Sequence, residues 1–118
     1  MIAKFLAALI MVESGGDPKE VGDNGKAVGV LQIHTIVIDD VNRIYGTDFR
    51  YEDRLDPVMS EKVCRLYLAY WGLKYKQEMG KDPTLEVYAR IWNGGPRGWN
   101  KYSTEKYWLK VKEVLDET

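Results

Sequence analysis

The stretch VESGGDPKEVGDNGKAVGVLQI, from Val12 to Ile33, decides how the whole sequence is interpreted. It opens with a carboxylate, Glu13, at the end of an apolar segment, continues as a polar, glycine-rich loop, and finishes in a short apolar run that contains Gln32. A carboxylate at the end of an apolar stripe is costly unless it is partnered or functional. We therefore interpret Glu13 as a catalytic acid and expect the remaining helices to wall a groove around it.

The residues before Glu13 have the spacing of an amphipathic helix. Apolar side chains recur at i, i+3, i+4 and i+7, namely Ile2, Phe5, Leu6 and Leu9. Glu13 continues this apolar face, and Gly15-Gly16 is a typical helix C-terminus. The helix dipole and the apolar surroundings would both favour the protonated form of Glu13, as a general acid requires. An exposed glutamate at a frayed helix end is the alternative.

The polar loop predicts either an irregular loop or a short hairpin over residues 17–28. Asn24-Gly25 is a strong turn signal. Asp23 precedes that turn and is a weak candidate for a second carboxylate, because aspartate in such a place usually serves the turn. Gln32 can donate and accept hydrogen bonds, although a surface glutamine is about as consistent with the segment.

Further helices follow, and their ends carry recognisable signals. We expect Thr35 to cap a helix that Gly46 ends, and Asp56-Pro57 to open a long helix that Gly80 stops. A further helix should start at Asp82-Pro83 and stop at residues 93–96, and Ser103 or Thr104 should cap the last one. Gly72 either permits close approach of another element or marks a bend. The predicted class is all-α, either without strands or with one small hairpin, in a single domain over residues 1–118.

Composition narrows the function classes. With 17 basic and 18 acidic residues the net charge is −1, which favours neither nucleic acid nor an anionic membrane. A single cysteine, Cys64, excludes an intramolecular disulfide, and with only one histidine it cannot make a zinc site. We expect Cys64 to be an inert core residue and expect no metal or cofactor.

Tyrosine and tryptophan dominate the aromatic residues, with eight and four against two phenylalanines. Such amphipathic rings suit a carbohydrate or peptide groove, although packing in the core of a small helical protein would account for most of them individually. The first twelve residues could be mistaken for a secretory signal, but their periodicity fits an amphipathic helix and no segment reaches membrane-spanning length. We expect a monomer without a membrane span.

Four short motifs in this order give the chain a family resemblance. They are ESGG at 13–16, GVLQI at 29–33, WNGG at 92–95 and Tyr107-Trp108. With them, the chain resembles the soluble lytic transglycosylases and, more broadly, the goose-type lysozyme superfamily. The resemblance implies that Glu13 is the single catalytic acid/base and that Ser14 and Gln32 line the sugar site.

The motifs at 92–95 and 107–108 imply further roles by the same resemblance. The resemblance implies that Asn93 contacts substrate near the scissile bond and that Tyr107 hydrogen-bonds the catalytic acid. Trp92 stands where the family usually has tyrosine, so we expect it to stack on substrate. His34-Thr35 replaces the usual Met-Pro after the glutamine segment, which alters the expected shape of the next subsite.

The implied reaction is cleavage of the β-1,4 bond between N-acetylmuramic acid and N-acetylglucosamine in peptidoglycan, leaving a 1,6-anhydro product. A hydrolase generally needs a second carboxylate, and the candidates are weak: Asp23 first, then Asp39 or Asp40. Two alternatives stay open. One is a hydrolytic goose-type lysozyme that uses such a second carboxylate, and the other is a non-catalytic wall-binding module.

Overall fold

Five α-helices and one two-stranded antiparallel sheet make up the regular structure of Ile2–Glu117, the residues that the computed structural model describes. The elements are α1 (Ile2–Ser14), β1 (Val21–Gly22), β2 (Ala27–Val28), α2 (Thr35–Tyr45), α3 (Pro57–Met79), α4 (Leu85–Gly94) and α5 (Glu105–Asp116). Short 3₁₀ turns lie at Asp23–Gly25, Tyr51–Leu55, Gly98–Asn100 and Tyr102–Thr104. The predicted all-α class with one small hairpin is confirmed.

The chain divides into two compact units. The central unit is Glu13–Tyr67, and the terminal unit takes in the chain up to Val12 and from Leu68 onward. Each unit has fully or nearly fully buried apolar side chains. In the central unit they include Val30, Leu31, Ile33, Ile38, Val41 and Val63, and in the terminal unit Phe5, Leu6, Leu9, Ala89, Ile91 and Val111.

Helix α1 forms as its periodicity predicts. Phe5, Leu6 and Leu9 are buried, whereas Ile2 at the start of the same stripe is 45% exposed. Gly15 and Gly16 both have positive φ, 64° and 94°, a conformation that glycine adopts without a steric cost. The helix therefore ends at Ser14, directly after the candidate acid.

The polar loop is a hairpin. Val21 pairs with Val28 and Gly22 with Ala27, so four residues connect the strands. Asp23 and Asn24 both adopt left-handed φ values, 52° and 57°. Short polar side chains tolerate this conformation better than most, which is why the DNG sequence can make the turn. The predicted turn at Asn24-Gly25 is confirmed.

Two of the predicted helix starts are wrong by one or two residues. His34, and not Thr35, occupies the N-cap position of α2, without a side-chain cap. Thr84, and not Asp82, caps α4, because its hydroxyl accepts a hydrogen bond from Val87 N at 3.2 Å. Thr84 directly precedes Leu85, the first apolar residue of that helix, and therefore occupies the N-cap position in place of Asp82.

The long helix α3 forms as expected. Asp56 Oδ1 accepts a hydrogen bond from Val58 N at 2.8 Å, and Gly80 ends the helix with φ 72°. Gly72 permits close approach, since a Cβ there would lie 2.6 Å from Cε1 of Tyr88. Any side chain at this position would force the Tyr88 ring to shift.

Candidate active site

Glu13 lies half-buried in the last turn of α1. The next residue fixes that helix end, because Ser14 Oγ donates to Val30 O at 2.8 Å and accepts from Gly16 N at 3.0 Å. The hydroxyl thus links the helix terminus to the apolar run 29–33. Ser14 was predicted to line the sugar site, and that sugar contact stays a prediction; its visible role is to position Glu13.

The environment of Glu13 includes the buried thiol of Cys64 on α3. Burial raises the pKa of Cys64 well above its usual value, and the nearby Glu13 carboxylate raises it further. Cys64 is fully buried, as expected of a core residue. The half-buried Glu13 is therefore close enough to a fully buried core residue to act on its ionisation.

Gln32 builds the loop that follows the hairpin. Its Nε2 donates to Glu20 O at 3.0 Å and to Gly29 O at 2.9 Å, so both amide hydrogens are used within the protein. The Oε1 atom lies 2.5 Å from the position that a Cβ on Gly22 would occupy, so a side chain at Gly22 would clash with it. Gln32 itself has φ 50°, a strained value for this residue type. A role for Gln32 in the sugar site remains a prediction, restricted to its Oε1 acceptor.

Arg54 supports the same loop, a role that the sequence did not reveal. Its Nη1 donates to Ile33 O at 2.9 Å, and its carbonyl oxygen accepts from the buried Ser60 hydroxyl at 2.9 Å. Gly29 packs directly on that carbonyl, since a Cβ there would lie 1.8 Å from Arg54 O. The contact between Gly29 and Arg54 joins residues 25 positions apart and belongs to no local motif, so the sequence pattern does not predict it.

The three weak candidates for a second carboxylate have different surroundings. Asp39 accepts a hydrogen bond from the Tyr51 hydroxyl at 2.8 Å, which raises the pKa of Tyr51. Asp40 forms an ion pair with Arg43.

Asp23 differs from both, because it sits on the exposed hairpin turn. Its Oδ2 lies 3.1 Å from Nε2 of His34, and its side chain is 61% exposed. His34, at the N-cap position of α2, thus lies beside the aspartate.

The remaining predicted residues belong to the terminal unit. Trp92 and Asn93 occupy the last turn of α4, where Trp92 is partly buried and Asn93 is exposed. Tyr107 is in the first turns of α5 and is 9% exposed. Gly94 allows this arrangement, because a Cβ there would lie 2.5 Å from Cγ2 of Thr104. The predicted residues therefore form two groups. One unit holds Glu13, Ser14, Gln32, Asp23, Asp39 and Asp40, and the other holds Trp92, Asn93 and Tyr107.

None of the helices in the described part of the chain is long and apolar enough to cross a membrane. Across Ile2–Glu117, histidine, cysteine and carboxylate side chains do not gather into a group of three or more that could hold a metal ion.

The chain is similar to known proteins in both sequence and structure. It is 38% identical over 53 residues to Lysozyme 1 of Crassostrea virginica, covering 45% of this chain and 27% of that protein. It is 48% identical over 40 residues to a lysozyme of Magallana gigas, covering 34% of this chain and 29% of that protein. The matches thus span less than a third of either relative.

A solved structure has the same fold. A chain in the crystal structure of Aeromonas hydrophila PliI in complex with Meretrix lusoria lysozyme matches with a TM-score of 0.77 and 22% identity. The match covers 94% of this chain and 88% of that one. In sequence, the family described as the Transglycosylase SLT domain matches residues 2–115, nearly the whole length. The chain therefore belongs to the transglycosylase SLT family.

Proposed function

We propose that this protein cleaves the β-1,4 bond between N-acetylmuramic acid and N-acetylglucosamine in peptidoglycan, as a lytic transglycosylase with Glu13 as its only acid/base. The observation that carries the proposal is Glu13, half-buried at the end of α1 beside the serine that ties this end to the 29–33 run. Membership of the SLT family over residues 2–115 supports the same reaction class.

Glu13 would act twice. Protonated, it gives its proton to the glycosidic oxygen as the bond to C1 of the muramyl residue breaks. The resulting carboxylate then takes the proton of the muramyl C6 hydroxyl, whose oxygen attacks C1 and closes the 1,6-anhydro ring. The proton balance is restored because Glu13 ends the cycle protonated, and no water is consumed.

A precise position of the carboxylate matters for both steps, since general acid–base catalysis requires hydrogen-bond reach to the reacting atoms. The Ser14–Val30 hydrogen bond and the double anchor of Gln32 hold the two segments next to Glu13. A fixed position suits a carboxylate that performs both proton transfers, because in this mechanism no second carboxylate shares either of them.

Hydrolysis is the second candidate, and Asp23 is the observation that favours it. Asp23 is an exposed carboxylate in the same unit as Glu13, in a left-handed conformation that most residues avoid. Both curated relatives are named lysozymes. In this alternative Asp23 would serve the attacking water or stabilise the sugar cation.

Digestion of purified peptidoglycan, with mass spectrometry of the soluble products, tests both candidates. Anhydro-muramyl ends support the transglycosylase, and reducing ends support the hydrolase. Asp23→Asn keeps full activity in the first case and loses most of it in the second.

Glu13→Gln removes the proton that both candidates require. We expect it to fold normally and to lower the cleavage rate by about 10³-fold or more, because its amide can neither donate nor reclaim a proton. Glu20→Gln, which makes the same change seven residues away, is the matched control and retains activity. A Glu13→Gln variant as active as Glu20→Gln would refute the assignment, and an inactive wild-type protein would leave only a binding module.

A further inference from the structure

A cavity lies wholly within the terminal unit. It has a volume of about 330 Å³ and lies between the second half of α3 and the loop after α4. Its lining includes Trp71, Lys74, Tyr75, Glu78, Arg97 and Trp99. None of these residues was among the predicted site residues, and the volume falls within the range of small-ligand pockets.

The walls of the cavity are held in place. Arg97 donates two hydrogen bonds to Glu78, at 2.7 and 3.0 Å, and its guanidinium lies 5.2 Å from the centre of the Trp99 ring. Trp99 in turn meets Tyr75 edge-on, with ring centroids 5.0 Å apart. The loop is therefore fixed to α3 by one bidentate ion pair and one aromatic contact. Such preformed walls lose little conformational freedom when a ligand binds.

The backbone of the loop is equally constrained. Gly98 packs on the carbonyl of Arg90, where a Cβ would lie 2.0 Å from the oxygen. Gly95 turns the chain out of α4 with φ 90°. Pro96 follows and also lines the cavity. The loop is thus a rigid wall and not a mobile flap.

The charges around the cavity do not cancel. Glu78 is engaged by Arg97, which lowers the pKa of Glu78. Lys74 lies over the ring of Tyr70, with Nζ 5.3 Å from its centre. Among Ile2–Glu117, no carboxylate forms an ion pair with Lys74. One cation is therefore available beside two indole rings.

Indole rings stack well on the faces of sugars, and an available ammonium group attracts a carboxylate. We propose that this cavity is an accessory binding site for a peptidoglycan segment, with a hexosamine ring against Trp71 and Trp99 and a stem-peptide carboxylate at Lys74. The proposal rests on the proposed function, since it takes peptidoglycan as the substrate. It would let the enzyme hold one part of the polymer while another part is cleaved.

The indole N–H signals in NMR spectra test this site directly, because the chain has only four tryptophans. Single Trp→Phe variants assign the four signals. The Glu13→Gln protein is titrated with a disaccharide–tetrapeptide muropeptide and, separately, with chitotetraose, which has the hexosamine rings without a carboxylate. We expect the muropeptide to shift the signals of Trp71 and Trp99 and to bind more tightly than chitotetraose.

A charge reversal then isolates the role of the cation. In the Glu13→Gln background, Lys74→Glu should weaken muropeptide binding, measured at Trp71 and Trp99, by roughly fivefold, while leaving chitotetraose binding unchanged. Lys110→Glu is the matched control, because it makes the same charge change at an exposed position on α5, and it should alter neither titration.

The outcomes separate failure of this proposal from failure of the proposed function. If Trp92 responds to muropeptide and the wild-type protein cleaves peptidoglycan, but Trp71 and Trp99 do not shift, the accessory site is wrong and the function stands. Equal affinities for Lys74→Glu and Lys110→Glu would also overturn the assigned role of Lys74. If no tryptophan responds and the wild-type protein does not cleave, both proposals fail.

Discussion

The hairpin segment, Val21–Ile33, and the α4–α5 connection, residues 95–104, are both glycine-containing loops, but they are stabilised differently. Every non-glycine residue with positive φ in Ile2–Glu117 lies in the hairpin segment: Asp23, Asn24 and Gln32. In the α4–α5 connection only Gly95 has positive φ, and the chain follows ordinary 3₁₀ turns.

The two loops also differ in what holds them. The hairpin segment depends on distant partners, because Arg54 bonds to Ile33 O and touches Gly29. The α4–α5 connection adds contacts nearer in sequence to its ion pair with Glu78 on α3: Arg90 Nε donates to Thr104 Oγ1 at 2.8 Å and Lys101 Nζ donates to Gly94 O at 2.8 Å. A strained loop next to the candidate acid thus contrasts with a relaxed loop that forms a wall of a cavity. Strain is tolerated where surrounding contacts over-determine the conformation.

Substitution of Gly29 should break the strained loop most severely. Gly29→Ala would bring a Cβ within 1.8 Å of Arg54 O at φ 87°. We expect a loss of roughly 3 kcal/mol or more in the free energy of unfolding, from the backbone clash and the unfavourable φ together. Urea denaturation followed by tryptophan fluorescence measures it.

Gly25→Ala is the matched control, because Gly25 has nearly the same φ, 88°, with nothing within 4 Å of the added Cβ. It should cost only about 1 kcal/mol. Equal losses for the two variants would show that the Arg54 contact does not support the loop.

Gly98→Ala tests the α4–α5 connection through a steric clash without an unfavourable φ. A Cβ at Gly98 would lie 2.0 Å from Arg90 O, but the backbone there does not have positive φ. We expect a loss of about 2 kcal/mol in the same assay, smaller than that of Gly29→Ala. A larger loss than at Gly29 would reverse the ranking of the two loops.

Thr104→Val tests the side-chain network of the α4–α5 connection. Thr104 is buried, and its hydroxyl accepts from Arg90 and is within 2.8 Å of the carbonyls of Gly98 and Lys101. The isosteric valine leaves Arg90 Nε without this acceptor, so we expect a loss of about 1.5 kcal/mol. The exposed neighbour gives the control: Ser103→Ala should stay within about 0.5 kcal/mol of wild type. A neutral Thr104→Val would mean that the 3₁₀ turns alone close the connection.

The smallest effect concerns the ion pair between Arg97 and Glu78. The hydrogen bonds from Arg97 lower the pKa of Glu78 below its ordinary value of 4.5. A lowered folded-state pKa contributes stability above the unfolded value and loses it as the pH falls through the folded one. Glu78→Gln should therefore have a slightly lower Tm than wild type at pH 7, and the gap should close in acid. Thermal melts of both proteins from pH 7 down to acid pH measure this difference in Tm. A difference that grows as the pH falls would contradict the prediction.

Local signals predicted the helices well. The DP pair before α3 and the glycines after α1, α2 and α3 mark ends that depend only on neighbouring residues. The start of α4 was misjudged because two cap residues, Asp82 and Thr84, competed within three positions. Sequence pattern cannot rank such competitors, since the outcome depends on where the apolar stripe packs.

Phase and motif predict Glu13 and Gln32 as site residues, and those roles stay predictions. The contacts of Arg54 and of the Asp23–His34 pair could not be predicted, because each joins residues that are separated in sequence and ordinary in type. Ser14 and Gln32 were assigned to substrate, whereas their visible hydrogen bonds are made within the protein.

Because Cys64 is buried, the reactivity of its thiol reports on transient unfolding of the region around it. Its raised pKa and zero exposure keep it unreactive towards alkylating reagents in the folded state. Modification therefore requires transient unfolding, and the labelling rate measures how often the region around Glu13 opens. A cysteine introduced on the surface could then be labelled with a dye or spin probe while the native thiol stays protected.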